Sequence, residues 1–229
     1  FLVLSSAIAL AMTLPIAHAK VDAAKAGTLG TTLNPVGADK NKNADGSIPA
    51  WTGGRPQQGS LKGQYFSDAK LEGQKPLYTI TAANMATYAA KLTVGHQEML
   101  RKYPTFKMNV YPSERTVSYP AVIVETTKKN AETATLTGTD GMANASVGFP
   151  FPIPARAEEV IWNHKTRWRG NFARRYNNQA IVQADGSVAM SKLVEEVQFV
   201  YGNSGAVGKP MPSDLLYYLS EQLAPPKSA

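Results

Sequence analysis

No cysteine occurs in the 229 residues, and histidine appears only three times. The missing thiols exclude disulfide scaffolding, cysteine nucleophiles, thiolate zinc sites and iron–sulfur clusters. A chain of this size can still bury enough surface to fold without disulfide bonds. Acidic charge is scarce as well: 17 Asp and Glu stand against 24 Lys and Arg, a formal net charge of +7. That surplus favours polyanionic partners. After residue 19 no apolar run is long enough to span a bilayer.

The one long apolar run opens the chain. "FLVLSSAIALAMTLPIAHA" ends in Ala17-His18-Ala19, a small-x-small cleavage pattern, and polar Lys20 follows at once. These are the h- and c-regions of a secretory signal peptide, whereas a spanning helix needs about 20 apolar residues and other flanks. Residues 1–19 are therefore expected to be removed on export. A basic n-region and a starting Met are absent, so the sequence is expected to begin inside its gene product. For an exported basic protein the polyanions are lipid headgroups and outer-membrane phosphates, and no nucleic acid is expected.

Residues 20–80 are rich in Gly, Pro, Asn and Asp and poor in periodicity, which predicts an extended arm with turns. Trp51, Tyr65, Phe66 and Leu77 are its candidate anchors. Thr81 is the expected N-cap of a helix carrying Met85, Tyr88, Ala89 and Leu92, and Thr93 that of a second helix stopped by Pro104. "FKMNVYPSERTVSYPAVIVETT" mixes prolines with β-branched residues and predicts two strands, with Pro112 and Pro120 at edges or bends. "LTGTDGMANASVGFPFPIP" reads as a Gly-rich loop and a rigid Pro-aromatic segment. A third helix follows Pro154, with Glu158 and Glu159 in its first turn, Lys165, Arg167 and Arg169 in its last, and Gly170 as its end. Two long runs flank Ala184-Asp185-Gly186-Ser187, a hairpin turn signal. "LLYYLSEQLAPP" fits helix by apolar spacing and strand by its tyrosines.

Chemistry is sparse. In "NKNADGSIPAWTGG", Asn41, Asn43, Asp45 and Gly46 approach the spacing of a calcium loop. The twelfth position, which should supply a bidentate carboxylate, is Thr52, and Asp45 would be the single carboxylate. An Asx turn with Gly46 at positive φ is the stronger reading. No metal and no cofactor are expected. His96 and His164 sit in separate predicted helices. No G-x-S-x-G elbow occurs, and Glu195 and Glu196, adjacent on a strand, point to opposite faces. The residues point away from an enzyme. The densest patch is "IWNHKTRWRGNFARR", with Trp162, His164, Arg167, Trp168, Arg169, Arg174 and Arg175. Its bland reading is a helix packed on a sheet by Ile161, Trp162 and Trp168 with a basic outer face. Its functional reading is contact with a headgroup or a membrane partner.

"NPVGADKNKNADGSIPAWTGG", "YTITAANMATYAAKL", "YPTFKMNVYPSERTVSYP", "GFPFPIP" and "IWNHKTRWRG" occur in an order that resembles a proteobacterial family of exported proteins. That family is a domain of unknown function often labelled outer-membrane lipoprotein-sorting protein. Its members are about twice this length, so the chain resembles their N-terminal half, and "YYLSEQLAPPKSA" resembles a mid-sheet strand. The resemblance implies an α+β fold similar to LolA and LolB: a curved, unclosed antiparallel β-barrel with helices on its concave face. It would occupy residues 81–229 in truncated form. The implied function is a periplasmic carrier for a lipid, lipoprotein or other hydrophobic molecule, associated with the outer membrane. Ligand contact would fall to Met85, Tyr88, Leu92, Ile161 and Trp162. Headgroup or partner contact would fall to His164, Arg167, Trp168, Arg169 and Arg174. The implied partners are an outer-membrane protein or an RND-type exporter, with peripheral membrane contact. The alternative is an adaptor that docks to such a partner without moving a ligand.

Overall fold

The computed structural model describes residues 21–55, 72–138, 140–212 and 216–224. The expected signal peptide and the anchors Tyr65 and Phe66 lie outside the described residues. The chain divides into two compact units: one takes residues up to Asp39 together with those from Tyr119 onward, the other takes Lys40–Ser118.

In the unit Lys40–Ser118, β1 (Tyr78–Ile80) pairs antiparallel with β2 (Met108–Val110). Between them lie a 3-10 helix, Met85–Lys91, and α2 (Val94–Lys102). Thr93 caps α2 through its hydroxyl, which accepts from His96 N at 3.2 Å. Thr81 is not a cap. The Asn84 carboxamide takes that corner instead, accepting from Thr81 N at 2.7 Å and donating to Thr79 O at 3.0 Å. The Met85–Lys91 helix buries no residue, so no tertiary packing rewards its widening from 3-10 to α.

In the other unit, α1 (Ala23–Ala26) opens from Asp22, whose carboxylate accepts from Lys25 N at 2.7 Å. Ala26 and Leu29 pack on Ala131, flanked by Val21, Leu33 and Ile153. The segment expected as one arm is thus shared between the two units.

The second strand expected after Pro112 is a helix, α3 (Ala121–Thr133). The β-branched run Val122-Ile123-Val124 suggests a strand, but the buried positions are Ile123, Thr126, Thr127, Asn130 and Ala131, a helical period. Pro120 precedes the first turn without obstructing it, since the orphan N–H groups at a helix start need no partner in the turn before. The Gly-rich loop holds a small hairpin, β3 (Thr135–Thr137) paired with β4 (Gly141–Ala143). Ala134, Ala145 and Phe151 form a second cluster with Leu136, Met142 and Trp162 against it.

The third predicted helix is α4 (Ala157–Thr166). Glu159 is 1% exposed and braces its start, accepting from Ala155 N at 2.6 Å and Arg156 N at 3.4 Å. It ends at Thr166, short of Gly170. Arg167 is its C-cap and Arg169 lies beyond it.

β5 (Phe172–Val182), β6 (Val188–Phe199) and β7 (Leu216–Ala224) form an antiparallel meander with β6 in the centre. The expected turn is present: Gln183 N donates to Ser187 O at 2.8 Å, and Gly186 supplies φ 84°. "LYYLSEQLA", Leu216–Ala224, resolves as strand through its pairing with β6. The fold is α+β with antiparallel sheets, and among the described residues none closes into a barrel.

Candidate functional site

Successive residues of a strand point to opposite faces, and residues opposed in an antiparallel register share one. One face of the meander buries Val197 and Phe199 with Tyr201, packed by Ala173 and Met211. On the same face Glu195 is 9% exposed. It accepts from Asn177 on β5 and the Tyr218 hydroxyl on β7, with Arg175 Nε at 3.6 Å. One carboxylate on the central strand therefore ties both neighbours.

The other face has no such cover. Phe172, Tyr176 and Val182 of β5, Val188 and Met190 of β6, and Tyr217 and Leu219 of β7 project from it and are exposed. Tyr217 and Leu219 keep 59% and 62% of their surface, and Leu216 and Tyr218 on the opposite face of the same strand keep 45% and 52%. At its centre Arg174 lies directly opposite Glu196, and its Nε donates to Glu196 Oε1 at 2.6 Å. That hydrogen bond and the carboxylate's charge raise the guanidinium further above its ordinary pKa, so the cation is fixed across the accessible pH range. Asn178, Lys192, Gln198 and Glu221 share this face, so its apolar residues stand in clusters separated by polar ones, and exposed apolar clusters can mark an interaction site. Sequence reasoning missed this face. The hairpin was legible, but apolar residues stand at both parities near its tip, Ile181 beside Val182, so alternation picks out no single buried face.

The polar-aromatic patch is divided among several tasks. Trp162 packs into the Ala134–Ala145–Phe151 cluster, with Lys165 Nζ 4.3 Å above its ring. Ile161 does not pack: it is 58% exposed. The buried positions of α4, Glu159 and Thr166, fix its phase and turn Ile161 outward. Arg167 folds back on the helix end, donating to His164 O at 2.9 Å, with His164 Nδ1 at 3.1 Å. Trp168 donates from Nε1 to Gly202 O at 3.0 Å and meets Tyr119 edge-on. Tyr119 also meets Phe149, and burial pushes its hydroxyl pKa up. Arg169 lies over the Phe199 ring at 5.0 Å. Of the residues expected to meet a headgroup or partner, Arg174 alone reaches the apolar face of the sheet.

Met85, Tyr88 and Leu92 belong to the unit Lys40–Ser118, whereas Ile161 and Trp162 belong to the other. Tyr88 stacks on Tyr78 of β1, ring centroids 4.7 Å apart and nearly parallel. Met85 and Leu92 are half-buried beside it in sequence.

The polar stretch around Asn43 and Asp45 is a turn held by its own side chains. Asn43 Oδ1 accepts from Ile48 N at 2.8 Å, and its Nδ2 donates to Ser47 Oγ at 2.8 Å. Asp45 Oδ1 accepts from Ser47 N and Oγ at 2.9 and 2.6 Å. These bonds hold the Asp45 carboxyl below its ordinary pKa. Trp51 fastens the stretch by donating from Nε1 to Val117 O at 3.0 Å.

Comparison with known proteins gives one family and one curated relative. The family described as "Protein of unknown function (DUF1329)" matches residues 79–229. An uncharacterized protein of Pseudomonas aeruginosa is 40% identical over 222 residues, which cover 96% of this chain and 49% of that protein. The chain thus spans about half the length of the curated relative it matches. No solved structure matches it.

Proposed function

The chain belongs to the DUF1329 family of proteins of unknown function, and from that premise we propose that it binds and carries a hydrophobic molecule, a lipid or lipoprotein, in the periplasm at the outer membrane. One observation carries the reading: the uncovered apolar face of β5–β6–β7. A long antiparallel sheet with one apolar face is the geometry from which an acyl-chain cavity is built, as in the unclosed barrels of LolA and LolB. The Arg174–Glu196 pair, with Asn178, Lys192, Gln198 and Glu221 on the same face, supplies polar points that can orient a ligand with a polar end. Partners at the outer membrane or of the RND-exporter type suit a carrier of such molecules. The half-packed Met85, Tyr88 and Leu92 offer adaptable apolar contact in the other unit.

The adaptor reading rests on a different observation, the exposed cations Lys165, Arg169, Arg174 and Arg175 around α4 and β5. Protein purified from a periplasm, extracted with organic solvent and examined by mass spectrometry, separates the two. A stoichiometric apolar ligand, lost when Tyr217 and Leu219 are replaced by Ser, is the carrier's result. An empty, folded protein whose envelope partner dissociates with salt is the adaptor's result and would sink the carrier.

A further inference from the structure

β7 is an outer strand of the meander, and among the described residues no strand pairs with its other edge. An edge strand offers a row of backbone N–H and C=O groups to any extended chain, and edges that stay free carry charge, proline or a bulge. The two edges of this sheet differ in that respect. β5 presents Arg174 and Arg175, each more than half exposed, and then Asn177, Asn178 and Gln179. β7 holds no Lys, Arg, Pro or Gly and a single charge, Glu221. Its register against β6 runs unbroken from Leu216 opposite Phe199 to Glu221 opposite Val194, and the irregularity lies beyond, between Leu193 and Lys192.

The side chains agree. Leu216, Tyr217, Tyr218 and Leu219 are consecutive, so they divide between the two faces, and all four are exposed. Large apolar residues at both parities suit a strand inside a sheet, flanked on both edges and covered on both faces, and not a rim. The packed cluster of the meander is built elsewhere, from Val197, Phe199 and Tyr201 with Ala173 and Met211. Glu221 is exposed too and forms no ion pair among the described residues.

We infer that Leu216–Glu221 is the acceptor edge for an added β-strand. The occupant is an extended polypeptide segment, apolar at both parities beside Leu216–Leu219 and carrying Lys or Arg beside Glu221. Backbone hydrogen bonds give such a segment its hold, and its alternate side chains give selectivity. Apolar cross-strand pairs remove Leu and Tyr surface from water, and a cation opposite Glu221 is the favourable charge pairing. The curated relative contains polypeptide that could supply it: the match takes 49% of that protein, so about half of it lies outside the matched part. The segment we assign belongs to that half. Main-chain pairing at this edge needs no bound ligand, so the inference stands apart from the carrier reading.

Amide hydrogen exchange reads the edge directly. The backbone of Leu216–Glu221 should exchange at least about tenfold faster in this chain than the matching stretch does in the whole Pseudomonas aeruginosa relative. Equal exchange in the two proteins overturns the inference. A second measurement co-expresses this chain with the unmatched part of that relative. A one-to-one complex should form and slow exchange across Leu216–Glu221. Leu216→Lys with Ser220→Lys, on the face opposite Tyr217 and Leu219, should weaken the complex at least about tenfold. Tm should not change, because both side chains are exposed. The inference fails if the unmatched part is recovered soluble without a complex, or if the complex leaves the stretch unprotected. It fails equally if this chain alone forms a concentration-dependent dimer protected at these residues, because a second copy is then the occupant.

Discussion

Asn130 shows how much one buried side chain can organise. Its carboxamide spans from α3 to the segment after β4 and satisfies three backbone groups, Ser146 N, Ser146 O and Phe149 O. Replacing it by Ala removes the partner of all three half-buried groups. The expected loss is about 3 kcal/mol in the free energy of unfolding, read from a denaturant titration. Asp45 is the opposite case, an exposed carboxylate whose two bonds to Ser47 hold its pKa below the ordinary value. A depressed folded-state pKa means the turn is favoured while the group is ionised. That contribution is complete above the ordinary aspartate pKa and disappears as pH falls through the lowered one. A carboxyl-carbon titration should place the Asp45 midpoint below that of a free aspartate, and Ser47→Ala should move it back up.

At the scale of elements, phase decides which residues matter. α4 carries Ile161 and Trp162 side by side, and a composition argument treats both as core. The helix buries Glu159 and Thr166, so Trp162 meets the Ala134–Ala145–Phe151 cluster and Ile161 meets solvent. Trp162→Ala should cost about 2–4 kcal/mol of stability, whereas Ile161→Ala should stay within about 0.5 kcal/mol. Equal losses in a thermal or denaturant melt would show that the phase of α4 is misassigned. α3 teaches the same lesson from the other side. Its β-branched start suggests a strand, and the small and polar residues that make its buried stripe, Thr126, Thr127, Asn130 and Ala131, leave little apolar periodicity to read.

At the scale of the whole molecule, the β5–β6–β7 sheet is packed on one face around Val197 and Phe199 and bare on the other. Tyr217→Ser with Leu219→Lys should reduce the binding of an apolar dye about severalfold and leave Tm nearly unchanged, because both side chains are already in water. A large drop in Tm would mean that the face is covered in solution. The three clusters built on Ala131, Ala134 and Val197 all belong to the unit that combines residues up to Asp39 with those from Tyr119 onward. Among the described residues, the unit Lys40–Ser118 instead relies on short pairings, with Ile80 and Leu100 as its buried apolar residues.

Local chemistry was legible without coordinates. The Thr93 cap, the Asp185-Gly186 turn, the acidic start of α4 and the opposed directions of Glu195 and Glu196 each depend on neighbours a few residues away. Membership in a family of unknown function was legible too, from motifs read in order along the chain. Tertiary structure alone decided the identity of α3, the division of the N-terminal arm between two units, and which face of the meander is covered. Those outcomes depend on partners far along the chain: Asn130 with Ser146, Ala26 with Ala131, Val197 with Met211. Periodicity reports how an element is patterned, but burial is settled by what the rest of the chain brings against it.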